Sequence, residues 1–156
     1  LFLATIEYHS ARFSSRLAEL KMNSAVPEQA LFEAGRAFFN AIVAPEMLSL
    51  YRTIIAEAYR FPRIGTAVLR EGHDKADNQV ATYLESQHDA GRLKIKDSDV
   101  AAKQFLALVT GDLHRRVLLS PDFRPTKTEI DRHVRMAVST FLYGVGRNPS
   151  AENKNT

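Results

Sequence analysis

Apolar residues recur every three or four positions along almost the whole chain, the period of amphipathic helices. Phe2, Ile6, Phe13, Leu17 and Leu20 form the first stripe, with Glu7, Arg12, Arg16 and Glu19 between them. A second follows Pro27 through Leu31, Ala34, Phe38 and Ile42, flanked by Gly35 and Phe39. A third follows Pro45 through Met47, Leu50, Tyr51, Ile54, Ile55, Ala58 and Phe61. Proline loses no hydrogen bond in a first helical turn, so Pro27 and Pro45 suit helix starts. Pro62 disfavours helical angles at Phe61 and must kink or end the third helix. Gly72 offers a further break. From about His73 to Ala90 another helix carries Ala76, Val80, Tyr83, Leu84 and Gln87, with Gly91 as its left-handed cap.

Leu93-Lys-Ile95-Lys alternates apolar and polar, and is too short to build a sheet. Asp97 or Ser98 caps a helix running to about Leu119. Thr126 and Glu129 have capping-box spacing ahead of a last helix through Ile130, Val134, Ala137, Val138, Phe141 and Leu142. Gly144 and Gly146 end it, and the polar residues 147–156 are expected to form a disordered tail. The pattern predicts an all-α bundle of six or seven helices, as a single domain over residues 1–146.

The last two long helices carry apolar or small residues in nearly every direction, and a helix that is apolar all round must be buried all round. Burial against a second copy is the economical solution, giving a two-fold homodimer through a four-helix seam. The seam is expected to use Leu106, Thr110, Gly111, Leu113, His114 and Val117 from one helix. Val134, Ala137, Val138 and Phe141 would come from the other. The alternative is a monomer with one central helix.

With 156 residues the chain is long enough for one domain. Lys and Arg number 21 against 18 Asp and Glu, a net +3 spread without any block of like charges. These residues alone therefore make no nucleic-acid arm. The longest apolar run, Phe105–Val109, is far too short to span a membrane, and no leader pattern opens the chain, so a cytoplasmic location is expected. Cys 0 excludes thiolate chemistry and disulfides. Glu85-x-x-His88 has di-iron bundle spacing but no second copy, and no nucleophile, phosphate-loop or zinc motif occurs. Neither catalysis, metal nor cofactor is expected.

Phe38, Phe39, Tyr51, Tyr83, Phe105 and Leu108 lie on apolar helix faces, with His9, Gln87 and Asp112 as polar insertions. Asp112 follows Phe105 by seven and Leu108 by four, which places it on the apolar face, where it either pairs with an arginine or meets a ligand. Together these residues suit a pocket for a hydrophobic or amphipathic small molecule. Plain core is the alternative for each residue taken singly.

Arg52-Thr-Ile-Ile-Ala-Glu57-Ala-Tyr-Arg-Phe61-Pro62 resembles the C-terminal domain signature of TetR-family transcriptional regulators, particularly the AefR-like subgroup. Gly91-Arg-Leu-Lys-Ile-Lys-Asp97 and Ala101-Ala-Lys-Gln-Phe105 match the family pattern ahead of its dimerisation helix. Leu1-Phe2-Leu-Ala-Thr-Ile resembles the helix that follows the recognition helix. The resemblance covers residues 1–146 and implies a ligand-responsive regulator, in sense a repressor. Its C-terminal domain would bind the effector and dimerise, while an N-terminal helix-turn-helix reads operator DNA. No helix-turn-helix precedes Leu1 here, so the expectation is the regulatory domain without its DNA-binding head. A helical protein–protein adaptor and a cofactor-binding bundle enzyme are the competing readings.

Overall fold

The computed structural model describes residues 24–145 together with Ala4, Tyr8 and Met22. The stripe predicted from Phe2 to Leu20 and the polar tail after Arg147 lie outside the described residues, as does His9. The described chain is all-helical: α1 (Pro27–Ile42), α2 (Pro45–Glu57), α3 (Pro62–Val68), a π turn (Leu69–His73), α4 (Asp74–Asp89), α5 (Ser98–Leu119) and α6 (Lys127–Tyr143).

Local chemistry sets these boundaries. Proline occupies the first turn of α1, α2 and α3, whose preceding residues provide no side-chain cap. Asp97 Oδ1 accepts the Val100 amide at 2.9 Å and starts α5. At α6 the capping box is complete: Thr126 Oγ1 accepts the Glu129 amide at 3.2 Å, and Glu129 Oε2 accepts the Thr126 amide at 2.7 Å. At the end of α4, Gly91 adopts φ 70°, and the Gly91 and Arg92 amides donate to the carbonyls of His88 and Gln87. That is a Schellman cap, which a residue with a Cβ would strain. Leu93 and Ile95 form no strand; both are half-buried in the loop and pack on the core. Gly72 does not break the chain either, because the π turn carries α3 continuously into α4.

The main core gathers α1, α4, α5 and α6 around Leu31, Phe39, Leu84, Phe105, Val109, Val134 and Val138. Gly35 allows the close approach of α1, since a Cβ there would lie 2.9 Å from Val134 Cγ1 and 3.2 Å from Val109 Cγ2. A smaller cluster of Ile54, Ile64 and Val68, with Leu50 and Tyr51, joins α2 to α3. Arg52 ties α2 to the end of α5, donating through Nε to Leu118 O and through Nη2 to Val117 O, each at 3.0 Å.

Helix α5 is interrupted at Gly111, which has φ 44° and ψ −153°. Burial runs through Ala102, Phe105, Leu106 and Val109 and resumes at His114 and Val117. The break shifts the helical phase, so Asp112 faces solvent rather than the apolar side, a correction to its expected placement.

Nor are α5 and α6 apolar all round, since α5 exposes Lys103, Gln104, Arg115 and Arg116, and α6 exposes Arg132, Arg135 and Ser139. Of the residues expected at a subunit seam, Leu106, His114, Val117, Val134, Ala137 and Val138 are buried within their own chain and offer a partner little surface. Thr110, Leu113 and Phe141 are half-buried, with the Phe141 ring 5.3 Å from that of Phe105. Gly111 is exposed and carries the kink of α5.

Candidate functional site

The two clusters do not close completely on each other. Between them lies a cavity of about 60 Å³, walled by Phe38 and Ile42 of α1, Met47, Leu50, Tyr51 and Ile54 of α2, Val68, Gly72, His73, and Thr110 and His114 of α5. Its wall is mostly apolar, with four polar side chains: Tyr51, His73, Thr110 and His114.

The Tyr51 ring stands 6.2 Å from the ring of His73 and 5.9 Å, edge-on, from that of His114. Burial pushes the Tyr51 hydroxyl above its ordinary pKa. His114 is only 8% exposed. Burial, and secondarily the neighbouring His73, lower its proton affinity and favour the neutral imidazole. Nδ1 of His73 is buried with no hydrogen-bond partner among the described residues. The Thr110 hydroxyl donates to Leu106 O at 2.8 Å, so its oxygen is left as an acceptor. Rings, aliphatic walls and a few placed polar atoms are the ingredients of a small-molecule site.

Of the residues proposed from sequence, Phe38 and Tyr51 line this cavity. Phe39 and Phe105 are fully buried in the main core, Phe39 against the ring of His133 at 5.3 Å. Leu108 is half-buried against the same core. The Tyr83 hydroxyl donates to Ser24 O at 3.1 Å. Gln87 is buried, and its Oε1 accepts Arg92 Nε at 2.7 Å beside the cap of α4. Asp112 pairs with Arg116 and Arg115, which hold its carboxyl below the usual range.

Sequence periodicity missed His73 and Gly72 and assigned His114 and Thr110 to a subunit seam. The available signal was two histidines and a tyrosine set among aliphatic residues. Among the described residues no group of three or more His, Cys, Asp or Glu stands ready to hold a metal ion. No described helix is long and apolar enough to cross a membrane.

Residues 29–144 match the family described as AefR-like transcriptional repressor, C-terminal domain. The fold is similar to the crystal structure of a protein assigned as a TetR-family transcriptional regulator from Mesorhizobium loti MAFF303099. That match has TM-score 0.78 and 23% identity, over 90% of this chain and 69% of the other. It is also similar to the flavonoid-responsive regulator FrrA, with TM-score 0.61 and 26% identity, over 85% of this chain and 70% of that one. No curated protein sequence matches. With the matched segment covering most of the chain and the helical order shared with such regulators, the protein belongs to the AefR-like group of TetR-family transcriptional regulators, through their C-terminal domain.

Proposed function

We propose that this chain is the effector-sensing and homodimerising domain of a ligand-responsive repressor, and that it catalyses no reaction. The observation that carries this reading is the cavity between the two core clusters, with α1 and α5 on one side and α2 and the π turn on the other. Its volume of about 60 Å³ is well below the ~300 to 1,000 Å³ of ordinary ligand pockets. A hydrophobic or amphipathic effector therefore widens it, moving α2 relative to α1. A ligand shifts such an equilibrium only by its preference for the wider state. Arg52, bonded to the last carbonyls of α5, passes that displacement to the segment beyond Gly111. The flavonoid response of FrrA supports an aromatic effector.

In this reading α5 and α6 dimerise through their outward faces. Val100 and Met136 are 48% and 61% exposed there, beside the exposed Ala107 and Ser139. A change in α5 then alters the spacing of two helix-turn-helix heads, which reside outside these residues and must meet successive major grooves of operator DNA.

The reading is tested by melting curves in the presence of aromatic compounds, a flavonoid included, for the unaltered chain and for Gly72→Leu. A Cβ at Gly72 meets nothing within 4 Å, so the leucine fills the cavity. Compounds should raise the melting temperature of the parent only, while light scattering shows dimers of both. Equal stabilisation of Gly72→Leu would remove the cavity from the account. A monomer at micromolar concentration would remove the dimer.

A further inference from the structure

We propose that the cavity selects a neutral phenol, whose hydroxyl pairs with Nδ1 of His73 while its ring lies against Tyr51. This deepens the effector-site reading above and rests on it. The starting point is the buried Nδ1 that has no hydrogen-bond partner among the described residues. A buried polar atom left unpaired is costly, and the groups that remain unpaired in a folded protein call for a ligand or a function. His73 closes a π turn, an irregularity found frequently at functional sites. The extra residue of that turn brings His73 to the same cavity wall as Tyr51 and His114.

Charge restricts the ligand first. Among the described residues no Lys, Arg, Asp or Glu lines the cavity. A carboxylate or an ammonium entering it would lose water without meeting an opposite charge, which is expensive in an apolar site. Two rings face His73, Tyr51 from α2 and His114 from α5, and burial favours the neutral form of each. Asp77 on α4 interacts electrostatically with His73, and with Lys103 and Asp74 as well. Among the described residues Asp77 is offset by Lys103 and does not line the cavity, so it gives a cationic ligand no partner there.

Shape and hydrogen bonding restrict it further. Phe38, Tyr51, His73 and His114 present four rings to one small space, and aromatic rings favour edge-on or offset contacts with another ring. The Tyr51–His114 pair already adopts the edge-on form, at 80°. A phenolic oxygen both donates and accepts, so it satisfies Nδ1 of His73 in either tautomer of the imidazole.

Calorimetry on the whole chain with three probes of one shape separates the possibilities: 4-propylphenol, propylbenzene and 4-propylbenzoate. The phenol should bind about tenfold tighter than either of the others, the worth of one well-placed hydrogen bond. In His73→Phe, phenol and propylbenzene should bind alike. A second readout needs no variant: on adding 4-propylphenol, the Nδ1 nitrogen resonance of His73 should shift, with propylbenzene leaving it in place. If propylbenzene matches the phenol and the resonance stays still, the phenol assignment is wrong while the cavity remains a ligand site. Tighter binding of the benzoate overturns the assignment equally. If none of the three binds, the effector-site reading itself fails and this inference fails with it.

Discussion

Nε2 of His133, on α6, lies 2.6 Å from the carbonyl oxygen of Val109, on α5. A carbonyl only accepts, so this ring nitrogen carries the proton. In an unbroken helix the Val109 carbonyl would accept the amide four residues on, but the helical path is interrupted at Gly111. The imidazole from α6 meets the carbonyl beside the interruption, and its other side rests against Phe39. One side chain thus joins two helices at the point where one of them is broken.

Gly111→Ala should destabilise the domain by about 2 kcal/mol, because a Cβ at positive φ is strained. The added methyl would also stand 2.9 Å from Cε1 of His133. His133→Ala should cost about 1 kcal/mol for the lost hydrogen bond, and more for the lost ring contact. Combined, the two should cost less than their sum, since removing the imidazole makes room for the methyl. Urea unfolding of all four proteins checks this. Strict additivity would show that Gly111 and His133 are not coupled.

These two residues also explain what the sequence left hidden. Elements bounded by local chemistry were legible, as Pro27, Pro45 and Pro62, the Gly91 cap and the Thr126–Glu129 box show. Counting along a helix told buried from exposed up to the first discontinuity, but not cavity wall from plain core: Phe39 and Phe105 precede any break and lie in the main core. Phe38 and Tyr51, on uninterrupted helices, line one cavity, as their apolar faces suggest. Asp112 was extrapolated across Gly111 from Phe105 and Leu108, and the phase change turned it to solvent. His114 and Val117, which the pattern assigns to a subunit seam, are buried within this chain. His73 was hidden by the other irregularity, the π turn. Nothing in the residues Leu69–His73 announces an i to i+5 turn, which depends on how α3 and α4 pack.

Arg52 provides a second prediction. Its guanidinium reaches two consecutive carbonyls, Val117 and Leu118, at the negative end of α5. Arg52→Ala should cost about 2 kcal/mol, discounted from two charged hydrogen bonds because the side chain is partly solvated. Arg52→Lys should recover less than half of that, since an ammonium is a point donor and cannot reproduce the fork. Melting temperatures of the two variants decide it, and full recovery by lysine would reduce Arg52 to a simple charge effect.

The third prediction concerns pH. Burial, then the nearby His73, hold the proton affinity of His114 below the ordinary 6.5. On unfolding, His114 regains that ordinary value and takes up a proton more readily than the folded chain does. Protonation therefore favours the unfolded state, so the contribution is intact above about pH 6.5 and is lost as pH falls through that value toward the folded one. His114→Phe keeps a ring against Tyr51 and should flatten the fall in melting temperature between about pH 7 and pH 5. An unchanged slope would place the titration on another group.

Gly72 supports the last prediction. It is buried in the wall of the cavity, and a Cβ built on it meets nothing within 4 Å. Glycine inside a helix costs about 0.5 to 1 kcal/mol relative to alanine because the unfolded chain loses more freedom. With no packing conflict to offset that gain, Gly72→Ala should stabilise the domain by about this amount, or roughly 1 to 4 °C for a chain of this size. The same methyl narrows a cavity of about 60 Å³, so binding of 4-propylphenol should weaken as the protein becomes more stable. A stabilising change that lowers affinity is the behaviour expected where a residue is kept for binding rather than for folding. Melting curves with and without 4-propylphenol measure both effects on one sample. Lower stability in Gly72→Ala would mean that the space beside the glycine is needed by its neighbours. Higher stability with undiminished phenol binding would place the ligand elsewhere in the fold.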